Sequence, residues 1–206
     1  MADKKIPEGV ISRLFVYLKE LTELSKVNIQ TISSSELGDR ANLSDAQVRK
    51  DLGYFGQFGV SGSGYNVQEL KTALEKILGK DKTKNVAVVG VGRLGEALLS
   101  YPGFRERGLP VVVAFDRDPA KADKRIGDVP VRSAEQMARE VKNNKVSIGI
   151  IAVPEANAQE VADKMVEAGI ECILNLAPVA LNVPEKIKVK NVDFSRELET
   201  LSYFCA

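Results

Sequence analysis

The chain has 206 residues, 44% hydrophobic and 28% charged, so it is long enough for two compact units with real cores and too short for a long multidomain enzyme. It has no histidine, which removes the usual general base, proton shuttle and metal ligand. The net charge is +1, with 11 basic and 10 acidic residues before position 81 and 18 of each after it, so the overall balance provides no footprint for nucleic acid. The opening MADKKIPEGV lacks a long apolar core, and no stretch approaches a membrane span, so a cytoplasmic protein is expected. Cys172 and Cys205 have neither a CxxC spacing nor a histidine partner, and are expected to be reduced and buried, with no metal site.

Residues 1–79 read as one helical unit. From Pro7, the residues Val10, Ile11, Leu14, Phe15, Leu18, Leu21 and Leu24 recur at helical spacing. Ser33 with Glu36, then Ser44 with Gln47, form two capping boxes around a tight turn at Asn42-Leu43. In the second of these helices Val48, Leu52 and Phe55 are expected inside, with Asp45, Ala46, Gln47, Arg49, Lys50 and Gln57 outside. The segment FGQFGVSGSGYNV, with glycines at 56, 59, 62 and 64, permits a two-stranded wing. A last helix carries Val67, Leu70, Ala73, Leu74, Ile77 and Leu78 and stops at Gly79. In a helix-turn-helix the later helix enters the major groove with its N-terminal half, which would set Ser44, Ala46, Gln47, Arg49 and Lys50 near bases and phosphates. A small helical protein-interaction domain has the same pattern.

Residues 80–84, KDKTK, form a polar linker, after which short apolar runs alternate with helical patterns. VAVVGV (86–91), VVVAFD (111–116), VSIGIIAV (146–153) and ECILNL (171–176) read as buried strands. Helices start near Leu94, near Ser133 (with Gln136 as a capping box) and near Ala156 (ending at Gly169). The alternation predicts a parallel sheet with right-handed crossovers. Between the first strand and its helix lies Gly90-Val91-Gly92-Arg93-Leu94-Gly95, a G-x-G-x-x-G turn suited to a dinucleotide's pyrophosphate, although a structural glycine turn reads the same. Asp116 follows 21 residues beyond Gly95, at the end of the second strand, where a carboxylate accepts both adenosine ribose hydroxyls and favours NAD over NADP. Arg117 beside it is either a solvated side chain or a phosphate acceptor that softens that choice. No Tyr-x-x-x-Lys dyad accompanies the motif, so the nucleotide is expected to be read rather than turned over.

The two halves together resemble the Rex family of redox-sensing repressors. The resemblance is carried by ISRLFVYL, QVRKDLGYFGQFG, GYNV, VGVGRLGEALLSYPGF, AVP, NLAPVAL and VDF, in register over nearly the whole chain. It implies an α/β protein with a winged-helix domain over 1–79, a Rossmann domain over 85–194 that binds NADH and NAD+ competitively, and a C-terminal helix over 195–206 swapped within a homodimer. It further implies release of double-stranded operator DNA, an AT-rich inverted repeat, by NADH. By the same resemblance Gly90 to Gly95 and Asp116 hold the diphosphate and ribose, and Tyr101 lies near the nicotinamide with Ala152, Val153, Pro154, Asn175, Ala177 and Pro178. Asp193 and Phe194 approach that region at the dimer interface, and Tyr54, Ser61 and Gly62 join the DNA-facing set. The chain departs from the family at the wing, where Val60-Ser61-Gly62 stands in place of Lys-Arg-Gly. A small dehydrogenase, or a CoA-type nucleotide module with an unrelated helical partner domain, is the alternative.

Overall fold

The computed structural model describes residues 6–59 and 63–205, and divides into two compact units, one ending at Lys82 and the other beginning at Thr83. In the first unit α1 (Glu8–Lys26) buries Val10, Leu14, Tyr17, Leu18, Leu21 and Leu24 on one stripe. Phe15, expected on that stripe, is 47% exposed, and Tyr17, which was not, is fully buried. Strand β1 (Thr31–Ile32) leads into α2 (Ser34–Ala41), and α3 (Asp45–Leu52) follows at once. The turn between the helices is forced tight. Asn42 takes the left-handed conformation, Leu43 N–H donates to the Gly38 carbonyl at 2.8 Å, and a Cβ on Gly38 would stand 2.6 Å from the Leu43 oxygen. Strand β2 (Tyr65–Asn66) pairs antiparallel with β1, and α4 (Val67–Ile77) closes the core with Val67, Leu70 and Leu74. The wing therefore differs from the expected hairpin: β2 pairs with the strand before α2, and residues 56–59 form no strand. Ser61 and Gly62 lie outside the described residues.

The Ser33–Glu36 box is complete, with Glu36 N–H on the Ser33 hydroxyl at 3.1 Å and Ser33 N–H on the Glu36 carboxylate at 2.8 Å. The second box is only half formed. Gln47 N–H donates to Ser44 Oγ at 3.2 Å, but the Gln47 side chain turns away and donates to Asp51 at 2.7 Å. Asp51, fully buried, also accepts from Arg13 Nε at 2.6 Å, Arg13 Nη2 at 2.7 Å and the Tyr17 hydroxyl at 2.8 Å. This one carboxylate ties α1 to α3. Burial pushes it upward in pKa, yet the hydrogen bonds from Arg13, Tyr17 and Gln47 and the Arg13 charge outweigh that, so it ends below the ordinary 3.8. Burial and Asp51 together push the Tyr17 phenol up, keeping it a donor.

In the second unit β3 (Asn85–Val89) is followed by α5 (Arg93–Leu99), the short α6 (Gly103–Glu106) and β4 (Val111–Asp116). A hairpin, β5 (Arg125–Ile126) and β6 (Val129–Ser133), precedes α7 (Met137–Asn143), β7 (Val146–Ile151), α8 (Glu155–Glu167), β8 (Cys172–Asn175), β9 (Lys188–Asn191) and α9 (Phe194–Ser202). The sheet order is β5-β6-β4-β3-β7-β8-β9, parallel except for β5. Leaving β5 aside, this is the 3-2-1-4-5-6 order of a dinucleotide-binding sheet, with its switch point between β3 and β7. Alternate residues of β3 enter opposite cores: Ala87 and Val89 pack with Phe115, Ile151 and Met165, and Val86 and Val88 with Ala114, Val131 and Ile150.

Three strands of the second unit escaped the sequence reading. β6 contains Pro130, β9 reads Lys-Val-Lys-Asn, and β5 has two residues, so none shows an apolar run. The expected box at Ser133 is absent: its hydroxyl accepts from Glu135 N–H at 3.4 Å, a 3-10 turn occupies Ala134–Gln136, and α7 begins at Met137. Cys172 and Cys205 are exposed, correcting the burial expected of them; Cys172 is the first residue of β8 and stands at the sheet's rim. Among the described residues no helix is long and apolar enough to cross a membrane, and no cluster of three or more His, Cys, Asp or Glu could hold a metal.

Because the folded pKa of Asp51 is lowered, its stabilisation is complete above the unfolded value and is lost as pH falls through the folded one. Asp51→Asn should therefore cost about 1.5–3 kcal/mol at neutral pH in urea unfolding. The gap to wild type should close as pH drops below 3.8; a pH-independent gap would contradict the network's electrostatic character.

Candidate functional site

A cleft of about 240 Å³ opens at the C-terminal rim of the sheet, lined by Gly90, Gly92, Asp116, Arg117, Ala152, Val153 and Pro154 among others. The three glycines of the turn, Gly90, Gly92 and Gly95, have three different reasons. At Gly90, with φ of +96°, a Cβ would stand 2.4 Å from the Ala152 carbonyl oxygen, so strand crossing and backbone conformation both demand glycine. At Gly95 a Cβ would stand 2.0 Å from the Gly90 oxygen, so α5 can close on β3 only without one. Gly92 has an ordinary φ of −85° and nothing within 4 Å of its Cβ position. It caps α5 with no side-chain hydrogen bond. Neither fold nor strain requires glycine there; an open cradle beside uncapped amides suits a phosphate group.

Asp116 ends β4. Its carboxylate accepts from Val91 N–H at 2.8 Å and Asp118 N–H at 2.9 Å, which aims it across the mouth of the glycine turn. Burial raises its pKa, and those two backbone bonds with the nearby Lys121 lower it further, leaving it ionised. Lys121 was not anticipated. Its ammonium donates to the Val91 carbonyl at 2.7 Å and lies 3.6 Å from Asp116, so it clamps the turn to the acid. The only signal was a lysine in the polar turn Asp-Arg-Asp-Pro-Ala-Lys, where no periodicity singles it out. Arg117 donates to Asn157 of α8 at 3.1 Å across the cleft.

The remaining nucleotide candidates divide. Ala177, Pro178 and Asp193 line a second cleft of about 230 Å³ with Asn191 and Arg196. Asn175 is fully buried: its amide donates to Val179 at 2.7 Å and to Asn191 at 2.9 Å, and accepts from Ala177 at 3.1 Å. It shapes the 177–180 loop, whose residues line that cleft. Val91 is buried, and Arg93 and Leu94 are exposed on the first turn of α5. Tyr101 does not join the AVP and NLAP loops within this chain. It packs edge-on against Phe104, 5.1 Å between centroids, in a separate hollow with Val111 and Val129, the first residues of β4 and β6. The cause is the length of α5, which carries the chain from the C-terminal rim back to the opposite end of the sheet. Phe194 is exposed, and Asp193 caps α9 through Ser195 N–H and Arg196 N–H. From Asp116 on β4 to Asp193 after β9, the rim crosses four strand spacings, roughly 19 Å in all, enough for an extended dinucleotide.

On the first unit, Ser44, Ala46, Arg49 and Lys50 are exposed along α3 and Tyr54 is half-buried just beyond it. Gln47, expected outside, sits at the boundary with its amide nitrogen on Asp51. Arg49 donates to Asp45 at 2.7 Å and to Ser34 at 2.9 Å, an exposed arrangement that costs little to exchange for another anion. Ser33, Ser34, Arg49, Gln57 and Tyr65 border an open hollow of about 610 Å³ beside α3.

Residues 5–53 match the family described as "Putative DNA-binding protein N-terminus", and residues 81–179 the CoA binding domain. The redox-sensing transcriptional repressor Rex of Desulforamulus reducens is 48% identical over 97% of this chain and 95% of its own length. That of Carboxydothermus hydrogenoformans is 49% identical over 97% and 96%. The chain belongs to the Rex family. The structure of a Rex-family repressor, RSP, in complex with β-NAD+ and operator DNA superposes with a TM-score of 0.93 at 40% identity, covering 98% of this chain and 94% of that one. RSP with β-NADH gives 0.86 at 39%, covering 98% and 95%. In this Rex chain the CoA-type match coincides with the sheet and glycine cleft already described.

Gly92 and Gly95 separate ligand binding from folding. Gly92→Ala should leave thermal stability within about 1 kcal/mol of wild type, because the added methyl meets nothing. It should weaken dinucleotide binding at least tenfold in calorimetry. Gly95→Ala should instead lower the melting temperature by several degrees. Normal NADH affinity in a folded Gly92→Ala protein would remove the cradle from the site.

Proposed function

We propose that this Rex chain is a transcriptional repressor that reads the NADH/NAD+ balance and is not an enzyme. The observation that carries it is the pairing, in one chain, of a helix-turn-helix with a dinucleotide cleft whose Gly92 is explained by neither strain nor packing. Relatives at 39–49% identity named as redox-sensing repressors, or bound to NAD+ with operator DNA, support the same reading. In this reading residues 1–79 bind an AT-rich inverted repeat as the DNA domain, 80–84 link, 85–194 bind NAD(H), and 195–206 swap onto a second copy. Gly90, Gly92, Asp116 and Arg117 hold the adenosine half, and Ala152, Val153, Pro154, Ala177 and Pro178 lead to the nicotinamide half. Asp193, Phe194 and Tyr101 meet that half where two subunits join, since one chain alone keeps Tyr101 at the other end of the sheet. Ser44, Ala46, Gln47, Arg49, Lys50 and Tyr54 face DNA.

A two-fold dimer reads an inverted repeat only while its two recognition helices keep a helical-turn separation. A ligand changes that only if its affinities for the two arrangements differ. The reduced and oxidised nucleotides share the adenosine half, so the difference arises at the nicotinamide, where one form is charged and must be desolvated. Anisotropy on a labelled AT-rich inverted repeat should show NADH releasing the protein at concentrations where NAD+ does not. Equal effects, or steady consumption of NADH with small carbonyls, would favour a dehydrogenase.

The swapped tail has its own expected result. Leu198 and Leu201, 67% and 58% exposed, line a helix of nine residues that buries nothing in its own chain among the described residues. A helix that short is marginal in water without a surface to cover it. Ending the chain before Ser195 should leave both units folded but shift sedimentation at micromolar concentration toward monomer; an intact dimer would exclude the tail as the clasp.

A further inference from the structure

Arg49 is held at one end of its guanidinium. The nitrogen Nη1 donates to the Asp45 carboxylate at 2.7 Å and to the Ser34 hydroxyl at 2.9 Å, and these two bonds use both of its hydrogens. Asp45 is the first residue of α3 and Ser34 the first of α2, so the anchor spans both helices of the pair. Nε and Nη2 carry no hydrogen bond among the described residues. Together they form the edge of a guanidinium that offers two parallel N–H groups. Arg13, in the same unit, grips both oxygens of Asp51 with that same edge, through Nε at 2.6 Å and Nη2 at 2.7 Å. On Arg49, whose side chain is 53% exposed, the matching pair of acceptors has still to be supplied.

We propose that Ser34 and Asp45 are positioning residues for DNA reading: by holding Nη1 they fix the plane of the Arg49 guanidinium, so that its Nε–Nη2 edge selects guanine at one position of each operator half-site. The proposal rests on the reading of α3 as the recognition helix. Guanine shows two acceptors, O6 and N7, in the major groove, and two donors match them. Adenine keeps N7 but sets an amino donor where O6 stood, so the second prong of the fork meets a donor. An arginine without an anchor escapes that mismatch by turning, to make one bond to N7 or to leave for a phosphate. Anchored through Nη1 it cannot turn, and the mismatch keeps its full cost. Between exposed groups the Asp45–Arg49 pair adds little stability; what it supplies is direction. Asp45 has a second effect, of opposite sign. It is a negative charge on a face that meets phosphates, so it holds down binding to DNA of any sequence while it sharpens the choice among sequences.

The test uses the full-length protein and the inverted-repeat duplex that the wild type enriches from a randomised pool. Each guanine of the half-site, on either strand, is replaced in turn by adenine, by 7-deazaguanine, which lacks N7, by 2-aminopurine, which lacks O6, and by inosine, which keeps both. Anisotropy titrations should find one symmetric position where adenine costs about tenfold or more, 7-deazaguanine and 2-aminopurine weaken binding, inosine does not, and Arg49→Ala erases the differences. Ser34→Ala and Asp45→Ala should each bring guanine and adenine there within about threefold. Both leave the capping hydroxyls of Ser33 and Ser44 in place. Asp45→Ala should at the same time bind a random duplex severalfold more tightly, with a salt slope steeper by about one, whereas a merely structural loss would weaken every duplex. Either variant that keeps the full guanine preference overturns the proposal, so one that folds suffices, and so does an Asp45→Ala protein that binds random DNA more weakly. If the guanine analogues change nothing and a methylphosphonate at one linkage removes the Arg49 contribution, Arg49 lies on a phosphate: the proposal fails and the reading of α3 stands. A wild type that enriches no inverted repeat would remove that reading, and the proposal with it.

Discussion

The nucleotide unit depends on how closely three pieces of backbone approach at one point. Gly95 on α5 leaves no room for a Cβ beside the Gly90 carbonyl, and Gly90 leaves none beside the Ala152 carbonyl. Helix, central strand and neighbouring strand thus meet main chain to main chain. The Gly90 N–H is satisfied by Phe115 at 2.9 Å and the Ala152 N–H by Val89 at 2.8 Å, so the contact closes without orphaned polar groups. Everything at the C-terminal rim is placed from there: Asp116 across the turn, Lys121 behind it, and the AVP loop alongside. The contact also lies at the switch point of the strand order, where a parallel sheet leaves a crevice that no crossover covers.

The helical unit solves the equivalent problem with charge. Two of its helices are short, eight residues each for α2 and α3, and each buries few side chains: Leu37 on α2, and Val48, Asp51 and Leu52 on α3. Val48 and Leu52 hold α3 to the core, but the direction in which its outer face points is pinned by Asp51 against Arg13 and Tyr17. A buried pair of this kind adds modest net stability, since desolvation offsets most of the attraction. What it supplies is geometry: the polar groups accept only one arrangement, and the exposed face of α3 inherits it.

That contrast explains which features were legible in the sequence. Glycine spacing, capping residues and β-branched runs are local signals, and they located the helix pair, the central strands and the dinucleotide turn. Asp51 and Lys121 answer to partners distant in the chain, 38 residues away for Arg13 and 30 for Val91, so no local pattern marks them. Asn175 is a related case: a polar residue at a strand end reads the same whether it faces a cleft or braces a loop, and its three internal hydrogen bonds show the bracing. Tyr17 and Phe15 exchanged places for a related reason. Periodicity ranks residues by hydrophobicity, whereas Tyr17 earns its burial through a hydroxyl whose acceptor lies on another helix. The strands that were missed are those where partner strands, and not side-chain patterning, hold the backbone: β9 carries two lysines and β6 a proline.

On the proposed reading, discrimination between the nucleotides falls to the half of the rim farthest from Asp116, where Asn191, Asp193 and Arg196 supply the polar groups. The second cleft holds one carboxylate, Asp193, and that carboxylate is already engaged as the N-cap of α9, on Ser195 and Arg196. A cap of this type is worth about 1 kcal/mol to its helix. Both cap bonds fall on Oδ1, so Oδ2 can meet a ligand or a neighbouring subunit while the cap stays closed, and such a contact fixes the side chain that caps α9. The two contacts are therefore coupled through one carboxylate, and coupling of this kind is reciprocal. On that reading the helix that buries no residue of its own among the described ones is capped by a side chain of the second cleft, so ligand state and subunit contact act on a single side chain.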